Sequence, residues 1–431
     1  MTAVAAGLGA LLTAQAAEAE SVITAARMID VESGRVVEYP AIFVGNDGRI
    51  TSIADARTVR WGSGVTHIDL GERTLVPGLI DMHVHLSSLA EVGGYNYLQY
   101  SDSFWPIVAV HNARAMLDAG FTTVRNVGSE GFADIGLGQA IDAGYAVGPR
   151  IIGAGTSIGA TGGHCDETFF PPSFDRTGSG VADSVDALRQ RVRNMAKYGA
   201  QVIKICATGG VFSRGSTPGQ QQMTLEEMRA VTDTAHMMGL RVAAHAHGAS
   251  GIRDAIRAGV DTIEHASLVD AEGIRLATQR TEPVWFSMDI YNTDYTQAEG
   301  RRNGVLEENI RKDAEIGQVQ RDNFRAALRA GVRMVFGTDA GVMPHAQAPR
   351  QFRVMVEYGM TPLQALQSAT RNAAQALGRE RDFGAIAVGR YADIAAVDGD
   401  PLTDVRTLER VQAVVKGGRL IPREATPGST G

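Results

Sequence analysis

Lysine is almost missing from this chain. Only Lys197, Lys204, Lys312 and Lys416 occur, which leaves arginine to carry 37 of the 41 positive charges. A lysine inside an apolar run, such as Lys204 in "QVIKICATGG", is therefore conspicuous. No basic stripe accompanies the net charge of −7, which argues against nucleic acid as a partner. No apolar run is long enough for a good membrane span. The two cysteines, Cys165 and Cys206, cannot build a disulfide framework. One bridge could form, but both lie beside suspected site residues, and two free thiols near a pocket are the expectation. No G-x-G-x-x-G follows an apolar strand-like run, which removes the usual dinucleotide fingerprint.

What is present fits an ordinary globular protein of 431 residues, with 44% hydrophobic and 21% charged content. That length predicts one large domain and a smaller one. Fifty glycines suit many tight turns. Residues 1–20 hold a short alanine-rich apolar stretch with A-x-A patterns but no basic residue before Arg27. They read as a leader. If it is a signal peptide the protein is exported, periplasmic or secreted; otherwise it is cytoplasmic.

Residues 21–76 and 386–425 contain short strand signals separated by turn residues. Neither set could bury a core alone, and together they predict one small β-sandwich domain built from both chain ends. Residues 77–385 alternate strand-like and helical runs. The strand-like runs are "LIDMHVHL", "FTTVRNVG", "RIIGAG", "AQVIKICATG", "RVAAHAHG", "VDTIEHAS", "PVWFSM" and "RMVFGTDAG". Most intervening helical patterns end in glycine, a common C-cap. In "MTLEEM", Thr224 with Glu227 forms a capping box. Eight such units predict an α/β fold of the (β/α)8 TIM-barrel type. An open doubly wound sheet is the alternative.

Barrel enzymes draw their active sites from the C-terminal ends of several strands. Here the first strand ends in His83 and His85, which alternation places on one face. The fourth offers Lys204, the fifth His245 and His247, the sixth His265 and the eighth Asp339. Scattered core histidines would not gather at strand ends in this way. Burial lowers a lysine pKa, and the neutral amine can add carbon dioxide to become an anionic carbamate.

The stretches "GLIDMHVHL", "VIKICATGG", "VAAHAHG", "DTIEHAS" and "FGTDAG" resemble, in order, the amidohydrolase superfamily. The likeness spans roughly residues 21–422. It is to the imidazolonepropionase-related branch, which includes Xaa-Pro dipeptidases and ochratoxin-hydrolysing amidohydrolases. That resemblance implies two divalent metal ions. His83, His85 and Asp339 would bind one, His245 and His265 the other, and a carboxylated Lys204 would bridge them. A shared hydroxide would attack the scissile carbonyl, and Asp339 would move its proton to the leaving amine. His247, on the same face as His245, could support the ligands or start the next helix, with ligation the lesser alternative. Zinc suits the nitrogen and oxygen donors, although manganese and cobalt also fit. His164, in "GATGGHCDE", would contact the substrate carbonyl and steady the oxyanion.

Other substrate contacts are expected on the loops. Arg214 could clamp a free carboxylate. Tyr97 could supply a pocket wall, and Asp289 and Tyr291 could line the same rim. Asn126 stands where relatives often carry an acid.

The expected activity is amide hydrolysis of a dipeptide or N-acyl amino acid, ochratoxin-type amides included. The alternatives are a cyclic amide, lactone or phosphoester hydrolase on the same site, or a non-catalytic scaffold. A mononuclear deaminase would not need Lys204. The expected partners are a small dipeptide-like substrate and further copies of the chain, in a symmetric homo-oligomer such as an octamer.

Overall fold

The computed structural model describes residues 20–423. The leader expectation for residues 1–19 and the last two residues of the 386–425 segment lie outside that range. The described residues form two compact units. One takes 20–80, Leu117–Thr122 and 362–423, and the other takes Asp81–Met116 and Thr123–Thr361.

The first unit holds two sheets. One has four strands in the order Ile50–Asp55, Pro40–Val44, Ser21–Thr24, Thr66–Asp69. The other has six, in the order Arg419–Leu420, Val411–Lys416, Ile394–Val397, Thr74–Pro77, Arg27–Asp30, Arg35–Glu38. Strands from both chain ends therefore share a sheet: Ile394–Val397 pairs antiparallel with Thr74–Pro77. Ile23, Ile42 and Ile68 from the first sheet meet Met28, Leu75, Ile394 and Val415 from the second in one apolar cluster. The segments are short because each carries few apolar residues, and burial comes only from pooling them.

The eight strand-like runs of the middle segment all form strands: β1 (Leu79–Val84), β2 (Phe121–Asn126), β3 (Arg150–Gly153), β4 (Val202–Cys206), β5 (Arg241–Ala246), β6 (Thr262–His265), β7 (Trp285–Ser287) and β8 (Arg333–Val335). They lie in two sheets, β3-β2-β1 and β4-β5-β6-β7-β8. The pairs whose register is resolved are parallel. Their continuous apolar character is what a parallel strand covered on both faces requires. Backbone bonds cross both gaps between these sheets. Ile158 N–H donates to Lys204 O at 2.8 Å and Cys206 N–H to Ile158 O at 2.9 Å. On the other side, Met82 N–H donates to Phe336 O at 2.9 Å and His85 N–H to Ala340 O at 2.8 Å. The fold is TIM-like α/β.

Helices follow the strands, and one starts where its cap predicts. Thr224 and Glu227 form the expected reciprocal box on Leu225–Met237. Gly259, at φ +102°, ends Ala249–Ala258 in the left-handed conformation that favours glycine. No helix among the described residues is long and apolar enough to cross a membrane.

The expectation of two free thiols is overturned, because Cys165 and Cys206 form a disulfide. The backbone bonds between Ile158 and β4 draw the segment after β3 along that strand, and the two Cα atoms stand 5.8 Å apart. That separation is within bridging range.

Candidate metal centre and active site

The first strand delivers its two histidines with their rings already oriented. His83 Nδ1 lies 3.0 Å from Glu264 Oε2, and His85 Nδ1 lies 3.2 Å from Gly128 O. Each Nδ1 thus meets an acceptor, which assigns the proton to Nδ1 and leaves Nε2 with its lone pair. Both Nε2 atoms sit 3.4 Å from Asp339 Oδ1. Behind them, Asp81 accepts from His83 N–H at 3.0 Å and from Thr338 Oγ1 at 2.6 Å, tying β1 to the end of β8. Asp339 has φ +57° and His265 φ +70°. Such conformations cost on the order of 1–3 kcal/mol for non-glycine residues and cluster at functional sites.

His265 Nδ1 lies 2.9 Å from Asp289 Oδ1, which also accepts from Gln320 at 2.9 Å. Asn292 donates to the other oxygen of Asp289 at 2.6 Å. The nitrogen atoms of His245, His247 and His265 come within 4.8 Å of one another, so His247 stands geometrically with the other two. Its Nδ1 lies 2.8 Å from Ser267 Oγ, and its ring stacks on His265. His164 stacks on His245 with ring centroids 4.1 Å apart. A Cβ on Gly210 would stand 2.4 Å from the His164 ring, so only glycine leaves room for that stack.

Burial sets the charge states. It holds His83, His245 and His247 well below the usual imidazole range, and His85 and His164 at about 3. These rings are neutral, the form a metal ligand needs. Burial also pushes the carboxyl of Asp339 up to about 7 and lowers the Lys204 amine to about 8. No carboxylate among the described residues lies within ion-pair distance of Lys204. His265 runs the other way: burial opposes its charge, but Asp289 raises it, and Asp289 is correspondingly lowered.

The structure therefore brings His83, His85, His245, His265 and Asp339 together, with Lys204 buried on the neighbouring strand. Asp289 lies behind His265. Tyr291 is buried, with its hydroxyl donating to Gln347 at 2.9 Å and accepting from Arg350 at 3.1 Å. Arg214 is exposed and donates to the Tyr95 hydroxyl at 2.7 Å. Tyr97 is half-buried, and burial pushes its hydroxyl up to about 12.

Two buried charges were not assigned a role from the sequence. Glu264 bonds His83 on one oxygen and Arg125 on the other, at 2.6 Å. Arg125 is fully buried and also donates to Met82 O at 2.5 Å. The available signal was a charged residue within each of two buried apolar strands.

A TIM-like fold whose strand ends gather neutral imidazoles around carboxylates defines the class of metal-dependent hydrolases. Within it, this chain belongs to the amidohydrolase family, whose pattern matches residues 74–421. The family is generally metal-dependent, and the chain is a hydrolase acting on amide bonds.

Its similarity to ochratoxinase of Aspergillus niger is 30% identity over 376 residues, covering 80% of this chain and 75% of that protein. Among solved structures, a Xaa-Pro dipeptidase with methionine bound in its active site is 36% identical at a TM-score of 0.87. That match covers 93% of this chain and 99% of the other. A prolidase complexed with N-methylphosphonate-L-proline is 32% identical at a TM-score of 0.85, covering 94% of this chain and all of the other.

Proposed function

We propose that the chain is a two-metal amidohydrolase that cleaves the amide bond of a dipeptide or an N-acyl amino acid, an ochratoxin-type amide among them. The observation that carries this reading is the convergence of His83 and His85 Nε2 on one Asp339 oxygen, 3.4 Å each, with their Nδ1 atoms engaged elsewhere. This donor chemistry fits divalent cations. Burial holds the ring ligands other than His265 neutral, three overlapping sets of donors each lie within 4.8 Å, and the supporting carboxylates Glu264 and Asp289 are in place. In this reading His83, His85 and Asp339 would hold one ion and His245 and His265 the other. Lys204, as its carbamate, would supply a further anionic oxygen donor, and zinc is the assignment favoured by the donor set.

Divalent ions bound there supply Lewis acidity and lower the pKa of water from ~15.7 toward ~7. The chain's own groups do the rest. Asp339, with its carboxyl near neutrality in the metal-free chain, takes a proton at Oδ and returns it to the leaving amine. His164 keeps a buried Nδ1 that no protein group satisfies, and a substrate carbonyl is the partner it would meet. Arg214, on its exposed loop, is assigned the free carboxylate of the substrate. Tyr97 stays assigned to the pocket wall. Asp289 acts through His265, and Tyr291 lines the rim through its bond to Arg350.

The same reading takes the eight strands as a closed (β/α)8 barrel over 77–385, supported by the backbone bonds across both gaps. It takes the two sheets of 21–76 and 386–425 as a sandwich, supported by their shared cluster. The Cys165–Cys206 bridge supports export, since structural disulfides persist in oxidising compartments. A symmetric homo-oligomer completes the assignment.

The test is a panel of N-acyl amino acids, Xaa-Pro dipeptides and an ochratoxin-type amide, assayed beside elemental analysis. We expect about two metal ions per chain, turnover abolished by a chelator, and recovery on adding zinc. A fully folded, metal-free protein that turns over none of the panel would point to a scaffold instead.

A further inference from the structure

We propose that the Cys165–Cys206 disulfide positions His164, holding the segment that carries it against the strand that carries Lys204. This rests on the reading of His164 as the group that meets the substrate carbonyl. The segment between Gly159 and Ala182 contains only one short turn of helix, Pro172–Phe174. Stretches this long without regular structure are uncommon in compact domains unless they serve a function.

Its own hydrogen bonds close it on itself. Asp166 accepts from Gly162 N–H and from Gly178 N–H, both at 2.7 Å, and Ala182 N–H donates to Gly159 O at 2.9 Å. None of these attaches it to β4. Beyond the backbone bonds of Ile158 to β4, the attachment near His164 consists of three things. One is the stack on His245 at 4.1 Å. Another is the His164 N–H bond to Gln222 Oε1 at 2.8 Å. The third is the covalent bond from the next residue, Cys165, to Cys206, the buried last residue of β4.

Lys204 and Cys206 are two apart on that strand and so share a face. The packing is cut to this arrangement. A Cβ on Gly159 would meet Cys165 Cβ at 2.8 Å, and one on Gly210 would meet the His164 ring at 2.4 Å. A cross-link of this kind removes conformations of the loop that non-covalent contacts leave open. A misplacement of about 1 Å at a catalytic group can cost on the order of 10²-fold. Cys165 and Cys206 are therefore positioning residues, acting through His164.

The experiment uses the full-length metal-loaded protein. Alkylation of the protein denatured without reductant, read by intact mass, should label no thiol; two labelled thiols would overturn the proposal at once. The Cys165→Ser/Cys206→Ser pair, with the Cys165→Ala/Cys206→Ala pair as a second version, should lower kcat by ~10-fold or more. That loss stays within the ~10²–10³-fold that removal of an oxyanion donor costs. KM and metal content per chain should change less than about twofold.

Reducing the folded wild type with a water-soluble phosphine should reproduce the fall. The disulfide takes up two electrons and two protons to give two thiols, and the phosphine becomes its oxide with oxygen from water. In a His164→Ala background the serine pair should add less than about twofold.

An unchanged kcat in both cysteine pairs and in the reduced protein would remove the tether alone. So would an equal loss with and without His164. A His164→Ala protein with undiminished kcat would remove the carbonyl role of His164, and the tether's purpose with it.

Discussion

Glu264 lies fully buried between Arg125 and His83 and serves both. Burial alone would raise its carboxyl, but the Arg125 guanidinium and the His83 ring hold it well below the carboxylate range. Glu264→Gln keeps the shape and removes the charge. Arg125 is then a buried cation without its counter-ion, and breaking such a pair costs ~3–5 kcal/mol. His83 loses the charged acceptor on Nδ1, and loss of such support weakens metal binding by ~10–100-fold. Thermal melts and calorimetric metal titration should show both effects; unchanged metal affinity would separate His83 from Glu264.

Asp339→Asn should keep the metal content while kcat falls by ~10²–10⁴-fold, the usual worth of general acid–base catalysis. Elemental analysis beside steady-state rates reads this directly. The histidines and Asp339 were legible in the sequence because metal-capable residues are unusual at the ends of apolar runs. The partnership of Glu264 was not. Strict alternation sends neighbours to opposite faces, yet Glu264 bonds His83 while the next residue, His265, packs its ring 4.9 Å from that same His83. The positive φ at His265 breaks the alternation, and no sequence rule announces a left-handed histidine.

At the scale of elements, the eight strands and the capped helices follow from local pattern: continuous apolar runs, glycine after the helices, and Thr224 with Glu227. The strand Arg35–Glu38 has mostly exposed side chains and so carries little apolar signal. The loops carry still less, since their course is set by what they touch. The disulfide depends on Ile158 bonding along β4, a contact with no local sequence signal.

The loop after β4 shows how narrow these fits are. Gly210→Ala adds one methyl group where the His164 ring stands 2.4 Å away. The ring must leave its stack on His245, because the added Cβ is fixed to backbone. Metal content should hold, while kcat should fall by on the order of 10-fold or more and KM move less. Kinetics and metal analysis of this single variant are sufficient, and a normal kcat would mean that the stack on His245 does not matter.

Over the whole molecule, the concentration of buried neutral histidines fixes how the metal-free protein responds to acid. His345 is a clear instance. It is buried in the turn after Asp339, its Nε2 lies 3.2 Å from His85 O, and burial lowers its pKa to about 4. Unfolded, the same side chain titrates near 6.5. Between those values the unfolded chain binds the extra proton, so stability is present above pH ~6.5 and is lost as pH falls toward 4. This one residue contributes roughly 3 kcal/mol of that loss.

His85 and His164, at about 3, act in the same direction. Asp81 and Asp339, pushed up to about 7 by burial, act in the opposite one: their stabilising share is complete below the ordinary carboxylate value and disappears as pH rises through 7. The lowered histidines outnumber them, so the metal-free protein should melt at progressively lower temperature from pH 6.5 to 4. His345→Gln can still donate to His85 O but cannot take the proton. Its melting temperature should fall less steeply over that window than the wild type's, measured on chelator-treated protein. Parallel curves for the two would mean that His345 is charged in the fold and that burial does not keep these rings neutral. Saturating divalent metal should raise both curves without flattening them, because a cation that displaces protons from the fold only widens the difference in bound protons from the unfolded chain.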